Sequence, residues 1–219
     1  MRFVAFGCSH TCGDGILPGD SWSGDPSNTP PSSASWVQVL SRKFNIPVLN
    51  LANSGGSNSL ILHTIRNHDW QAGDIALILW TYLERDTIFD SKTAYRDVSS
   101  FRICSTNEEW AYIKQYYMLF PNYHIEYMNL QDIEHAYLYL AAHNIPKVAR
   151  FADKVTSIQL AGFNNNMLAD YQNPSLDYIV ETFEKKIGKI QPGADNMHYN
   201  ELMHQVFAEE YVSEITNLL

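Results

Sequence analysis

Asp74-Ile75-Ala76-Leu77-Ile78-Leu79-Trp80 is an unbroken apolar run behind one acidic residue. An alternating run would mark a strand with one wet face. A continuous one marks a strand covered on both faces, as parallel strands between two helical layers are. Working outward, Arg2–Phe6 reads as a first buried strand ending at Gly7, and Pro47–Leu51 as a second. Between the strands the apolar spacing becomes helical. Trp36, Val39, Leu40 and Phe44 share one face of a helix over Trp36–Phe44, with Ser35 as its cap. Ser59–Asn67, Leu176–Ile187 and a last helix from about Asn200 follow the same spacing, the last with Val206, Phe207, Tyr211 and Ile215 inward. Strands alternating with helices predict an α/β fold, a three-layer α/β/α sandwich around a central, mostly parallel sheet.

The middle of the chain is less regular. Glu108–Met118 and Leu130–His143 have helical spacing and many Tyr and Trp residues, which predicts a helical insertion over about 88–145. Pro146–Phe151 reads as a further strand and Asn164–Asn166 as a polar loop. Ile16–Ser35 holds four of the nine prolines, so it is a long irregular loop of the kind that borders a site. Without a repeat, low-complexity tract or linker, residues 1–219 read as one domain.

Fifteen Lys and Arg against twenty-four Asp and Glu give a net charge of −9. An acidic surface repels phosphate backbones, which argues against nucleic acid as a partner. No basic segment suits anionic lipid, and no apolar run spans a bilayer, so a membrane is not expected either. The start, MRFVAFGCSH, has too short an apolar run for a signal peptide, which points to a cytoplasmic protein. Cys8, Cys12 and Cys104 are odd in number and match no zinc spacing, and they read as reduced thiols.

Three short segments carry chemistry. In FVAFGCSHTCG (residues 3–13), Ser9 stands two residues after Gly7 at the C-terminal end of a buried strand, where parallel sheets place reactive groups. By itself Gly-x-Ser is a weak signal, and an ordinary turn serine is much the readier reading. In GADNMHYNELMH (193–204), Asp195 and His198 are three apart, ahead of a helix that Asn200 can cap. That spacing lets a carboxylate hold an imidazole N–H while the other ring nitrogen faces a nucleophile; a solvated loop pair is the plainer alternative. His204 lies off that face and reads as packing or capping. In LNLANSGGSNS (49–59), Gly55 and Gly56 after a strand expose backbone N–H groups able to donate to an oxyanion, or else form a flexible loop.

Taken together, these segments resemble the SGNH (GDSL-type) hydrolase superfamily. Its first motif, Gly-Asp-Ser, appears as Gly7-Cys8-Ser9, with Thr11 and Gly13 following; its last, Asp-x-x-His, as Asp195 and His198; its strand-ending Asn and the Gly five residues on, as Asn50 and Gly55. The resemblance implies a flavodoxin-like sandwich and a serine esterase without metal or organic cofactor. Ser9 would be the nucleophile, His198 the base and Asp195 its orienting carboxylate, with the N–H groups of Ser9 and Gly55 as the oxyanion hole. Two departures stand out. Cys8 replaces the Asp before the nucleophile. The Gly-x-Asn-Asp motif after the central strand is absent, and the strand runs instead into Trp80-Thr81-Tyr82-Leu83-Glu84-Arg85. That variant is similar to phage and bacterial SGNH-like proteins, where a virion location is the counterpart of a cytoplasmic one. The missing Asn donor leaves the Thr81 hydroxyl, the Tyr82 hydroxyl and the Asn58 amide as candidates, and loss of one such donor costs about 2.7–4 kcal/mol of transition-state stabilisation.

Other constellations are weaker. A thiolate of Cys8 or Cys12 beside a helix start would be nucleophilic, but Cys8 and Ser9 cannot both face one histidine. His63 and His68 are five apart, on different helical faces, and do not form a metal site. Trp110, Tyr112, Tyr116, Tyr117, Phe120, Tyr123 and Tyr127 suit core packing or an oligomer contact, or stacking on sugar rings. Arg85, within Glu84-Arg85-Asp86, is a candidate for binding a substrate carboxylate, for bracing the oxyanion loop, or for a salt-bridged rim. The expected partner is a small-molecule or glycan ester, with a homo-oligomer or larger assembly compatible. The alternative to an esterase is a non-catalytic SGNH-like structural or glycan-binding module.

Overall fold

A computed structural model describes residues 1–17, 31–88, 96–98, 118–120, 122–153, 170, 173–196 and 198–219. In chain order the elements are β1 (Arg2–Phe6), α1 (Ser9–Cys12), α2 (Trp36–Phe44), β2 (Val48–Asn50), α3 (Asn58–Asn67), β3 (Asp74–Trp80), β4 (Asp86–Ile88), β5 (Arg96–Val98), α4 (Asn122–Ala142), β6 (Lys147–Phe151), α5 (Leu176–Ile187) and α6 (Glu201–Leu218).

The main sheet has the order β2-β1-β3-β6, and every pairing in it is parallel. β3 is central and buried along its whole length. Its residues divide by pleat. Ala76, Ile78 and Trp80 point to one side with Val4 and Phe6, and meet Ile61 and Ile65 of α3 and Leu130, Ile133 and Leu140 of α4. Ile75, Leu77 and Leu79 point to the other side with Phe3 and Ala5, and meet Trp36 and Leu40 of α2, Ile179 of α5 and Phe207, Tyr211 and Ile215 of α6. The unbroken apolar run is therefore the centre of a three-layer sandwich. Truncating Leu77 or Ile78, both fully buried, to Ala would cost about 2–5 kcal/mol through the cavity left behind.

The helix boundaries follow local chemistry. Ser57, Ser175 and Asn200 each accept a hydrogen bond from a first-turn N–H at the starts of α3, α5 and α6. α2 is capped from elsewhere in the chain: the Trp36 N–H donates to Nδ1 of His204 at 3.2 Å, which gives His204 the capping role the sequence suggested.

The middle differs from expectation in two ways. It begins with an antiparallel ribbon, β4 against β5, rather than a helix. Each strand is three residues long and shows no periodicity. The ribbon is fastened to the start of α3, with Thr87 Oγ1 2.6 Å from Ser57 Oγ and the Ser59 hydroxyl donating to Asp86 at 3.2 Å. Second, α4 starts at Asn122, well before Leu130. Its early turns carry Tyr123, Tyr127 and Met128 exposed, so a pattern of inward residues understates its length. Most of Glu108–Met118, all of Asn164–Asn166, and Cys104, Trp110, Tyr112, Tyr116 and Tyr117 lie outside the described residues. Among the described residues, no helix is long and apolar enough to cross a membrane.

Candidate active site

The C-terminal ends of parallel strands share one edge of the sheet, and the singled-out residues collect there. Ser9 opens α1 three residues past the end of β1 and is buried. The turn before it is tight: a Cβ added at Gly7 would collide with the Thr11 side chain, so only glycine fits.

The loop after β2 is stitched to this nucleophile turn. Leu51 N donates to Ala5 O at 2.8 Å and Asn53 N to Gly7 O at 3.0 Å. The Asn50 amide donates to Thr11 O at 2.8 Å, and the Cys12 thiol to Ala52 O at 3.0 Å. The Ser54 hydroxyl donates to the buried Asp14 carboxylate. Gly55 follows with φ of +74°, and a Cβ there would meet nothing within 4 Å. The loop thus holds an open glycine backbone beside the turn that carries Ser9.

The loop after β3 is fixed differently. Asn58 is fully buried and its amide grips the Thr81 backbone from both sides, accepting from N at 2.9 Å and donating to O at 3.2 Å. The Arg85 guanidinium donates to Thr81 Oγ1 at 3.0 Å and lies 4.9 Å over the Tyr82 ring. Arg85 O in turn accepts from Asn129 of α4 at 2.9 Å.

From the far end of the chain, the turn before α6 reaches the same place. Ala194 N donates to Gly15 O at 2.5 Å. Gly15 has φ of +67°, and a Cβ on it would strike the Asp195 carboxylate. Asp195 Oδ1 accepts from the backbone N–H of His198 at 2.9 Å, and Oδ2 lies 2.6 Å from its Nδ1. With Nδ1 so engaged, the ring presents Nε2 as its free nitrogen. The His198 ring is 5.6 Å from that of His10, the neighbour of Ser9. Residues far apart in sequence are thus brought together: the Ser9 turn, the Gly55 loop and the Asp195–His198 pair share one edge. Among the described residues the Ser9 hydroxyl makes no hydrogen bond, with His198 or any other group; contacts of this kind often tighten only around substrate.

Several groups around the site have displaced proton affinities. Burial, reinforced by the charges of His198, His204 and Arg85, holds the His10 pKa well below the usual imidazole range. Burial, with the charge of His198, brings His204 down to about 3. Burial and the Asp14 carboxylate push the Cys12 thiol upward, which disfavours its thiolate. Asp177, which accepts from the Tyr199 hydroxyl at 3.2 Å, is raised to about 6 by burial and by Asp153. Among the described residues no group of three His, Cys, Asp or Glu side chains is arranged to hold a metal ion.

Sequence reasoning did not reach His10, Tyr199, Asp14 or Ser54. His10 and Tyr199 carried one signal, as neighbours of Ser9 and His198; the Asp14–Ser54 contact spans two loops and left none.

A parallel sandwich with a serine after its first strand and Asp-x-x-His before its last helix is the arrangement the sequence resemblance implied. The chain folds as a three-layer α/β/α sandwich around a parallel sheet. No family model matches the chain, and no curated protein matches it. Solved structures with a similar chain path include a G-D-S-L family protein from Desulfitobacterium hafniense DCB-2, 12% identical with a TM-score of 0.44 over 97% of this chain and 98% of that one. The acetyl xylan esterase Est2A from the rumen bacterium Butyrivibrio proteoclasticus is 13% identical with a TM-score of 0.49, over 99% of this chain and 63% of that one. The psychrotrophic esterase EstA from Pseudoalteromonas sp. is 10% identical with a TM-score of 0.46, over 100% of this chain and 98% of that one. Likeness at this level does not extend to activity or substrate.

Proposed function

We propose that residues 1–219 form one hydrolase domain acting as a serine esterase, with Ser9 as nucleophile, His198 as general base and acid, and Asp195 as the carboxylate that orients it. The observation that carries this reading is the pairing of Asp195 with Nδ1 of His198 at 2.6 Å, in a turn seated on the loop that follows Ser9. Ser9 Oγ attacks the ester carbonyl as His198 Nε2 takes its proton, and the carboxylate stabilises the imidazolium that results. The tetrahedral oxyanion is held by the N–H groups of Ser9 and Gly55. The Thr81 hydroxyl is the third donor: it accepts from Arg85 and keeps its own proton to give, while Asn58 fixes the backbone beneath it. His198 then protonates the departing alcohol, and water releases the acid from Ser9.

For substrate, an acyl group on a carbohydrate fits best. The exposed rings of Tyr123 and Tyr127 on α4, on the helix that also bonds the Arg85 turn, are the kind of surface on which sugars stack. Turnover of p-nitrophenyl acetate tests the reading: it is expected to depend on Ser9, on His198 and, to a smaller extent, on Thr81. A protein in which Ser9→Ala leaves turnover unchanged is not this esterase.

A second reading, a non-catalytic SGNH-like binding module, is favoured by one observation: the Ser9 hydroxyl lacks a hydrogen bond to His198 among the described residues. It predicts no Ser9-dependent turnover, with glycan binding retained in Ser9→Ala.

A further inference from the structure

The turn that presents Ser9 also carries His10, which serves no purpose in the mechanism above. It is more than nine-tenths buried, and its Nδ1 is buried without a partner among the described residues. Polar atoms are seldom buried so without a reason in the surroundings of the ring. The His10 ring stacks on Tyr199 with centroids 5.1 Å apart and planes 29° apart. It meets His198 edge-on at 5.6 Å and 71°, and Tyr82 at 6.4 Å and 64°. Tyr199 is the residue after His198, so one flat ring touches both the base and its neighbour in the chain.

We propose that His10 is a positioning residue for His198: a ring on the nucleophile's own turn, stacked on Tyr199, that sets the imidazole against Ser9. This rests on the esterase reading of the same site. The turn holding Asp195 and His198 is anchored to the segment after β1 at two points. One is Gly15, which fixes the carboxylate end. The other is His10, which fixes the imidazole end. Without the second anchor, the backbone of His198 stays bonded to Asp195 and Gly193, but its ring is held only by the contact of Nδ1 with Asp195. The anchor must also carry no charge, because an imidazolium forms beside it during reaction. The groups facing His10 are His198 from the C-terminal turn, with Asp195 behind it acting in the opposite sense; His204 from α6; Arg85 and the Tyr82 ring from the loop after β3; and Tyr199 stacked upon it. Burial above all, with the Arg85 guanidinium and the His198 ring acting in the same direction, keeps it neutral.

The test is a comparison of His10→Leu and His10→Phe in the full chain. Leu removes the flat ring, and Phe keeps an uncharged one that can stack. A misplacement of about 1 Å at a reacting group can lower a rate on the order of 10²-fold. His10→Leu is therefore expected to lower kcat for p-nitrophenyl acetate by about that factor with KM unchanged. His10→Phe is expected to turn over close to the wild-type rate. Crystal structures should show the His198 ring displaced in the Leu variant and in place in the Phe variant. A Leu variant with wild-type kcat and an unmoved ring overturns the proposal, as does a folded Phe variant as slow as Leu. If the wild type shows no Ser9-dependent turnover, the esterase reading fails, and the ring positions alone decide the role of His10.

Discussion

Asp195 divides its carboxylate between two parts of His198: Oδ1 accepts the backbone N–H at 2.9 Å and Oδ2 meets the ring at Nδ1, 2.6 Å away. The first contact fixes where the residue sits and the second fixes which tautomer it holds. An amide in place of the carboxylate would keep the first and spoil the second. Asp195→Asn should fold normally and lose about 10⁴-fold in kcat. Steady-state kinetics against a matched thermal melt check this, and a loss smaller than tenfold would remove Asp195 from the mechanism.

Gly15 and Gly188 offer a paired comparison. Both have positive φ, of +67° and +90°, but a Cβ at Gly15 meets the Asp195 carboxylate whereas one at Gly188 meets nothing within 4 Å. Replacement by Ala strains the backbone at either position, at roughly 1–3 kcal/mol. Gly15→Ala alone should also displace Asp195 and lower kcat. Equal activity in the two variants would mean that the Gly15 contact does not position the carboxylate.

His204 is buried, uncharged and bonded through Nδ1 to the N–H that opens α2. Its folded pKa of about 3 lies below the ordinary 6.5, so the unfolded chain binds a proton that the folded chain refuses. The stability it contributes is present above pH 6.5 and is lost as pH falls toward 3, at about 1.4 kcal/mol per pH unit. His10 acts in the same direction. Asp132 and Asp177, both raised to about 6 by burial, act oppositely: their protonation stabilises the fold as pH falls through 6 toward 4. The clean observable is a difference. Urea denaturation at pH 7 and pH 5 should give a larger loss for wild type than for His204→Gln; the same loss in both would show that His204 is not the group refusing the proton.

Cys12 donates its thiol proton to Ala52 O and is held away from the thiolate by burial. Iodoacetamide at pH 8 should leave turnover intact, and Cys12→Ser should remain active. Inactivation by the thiol reagent, with protection in Cys12→Ser, would revive a cysteine nucleophile.

The elements legible in the sequence are those whose signal is local. β3 is an apolar run with no polar interruption, and α2 and α5 are faces repeated over two or more turns; all three occupy the residues their patterns predict. β4 and β5 were not legible because three-residue strands such as Asp86-Thr87-Ile88 have no period, and they exist by pairing with each other and with the start of α3. The site divides in the same way. Ser9, Gly55, Asp195 and His198 were legible as candidates because the segments that hold them keep fixed spacing, Gly7 to Ser9, Asn50 to Gly55 and Asp195 to His198. The Asn58–Thr81 clamp, the Asp14–Ser54 contact and the stacking of His10 on Tyr199 join residues from different loops, and only the folded chain brings them together.

The central claim is that a hydroxyl near the start of the chain is activated by an imidazole near its end. Fluorophosphonate labelling followed by peptide mass mapping tests it most directly. The account predicts one adduct, on Ser9, absent in Ser9→Ala and strongly slowed in His198→Ala. An adduct on any other residue, or a rate indifferent to His198, would contradict it.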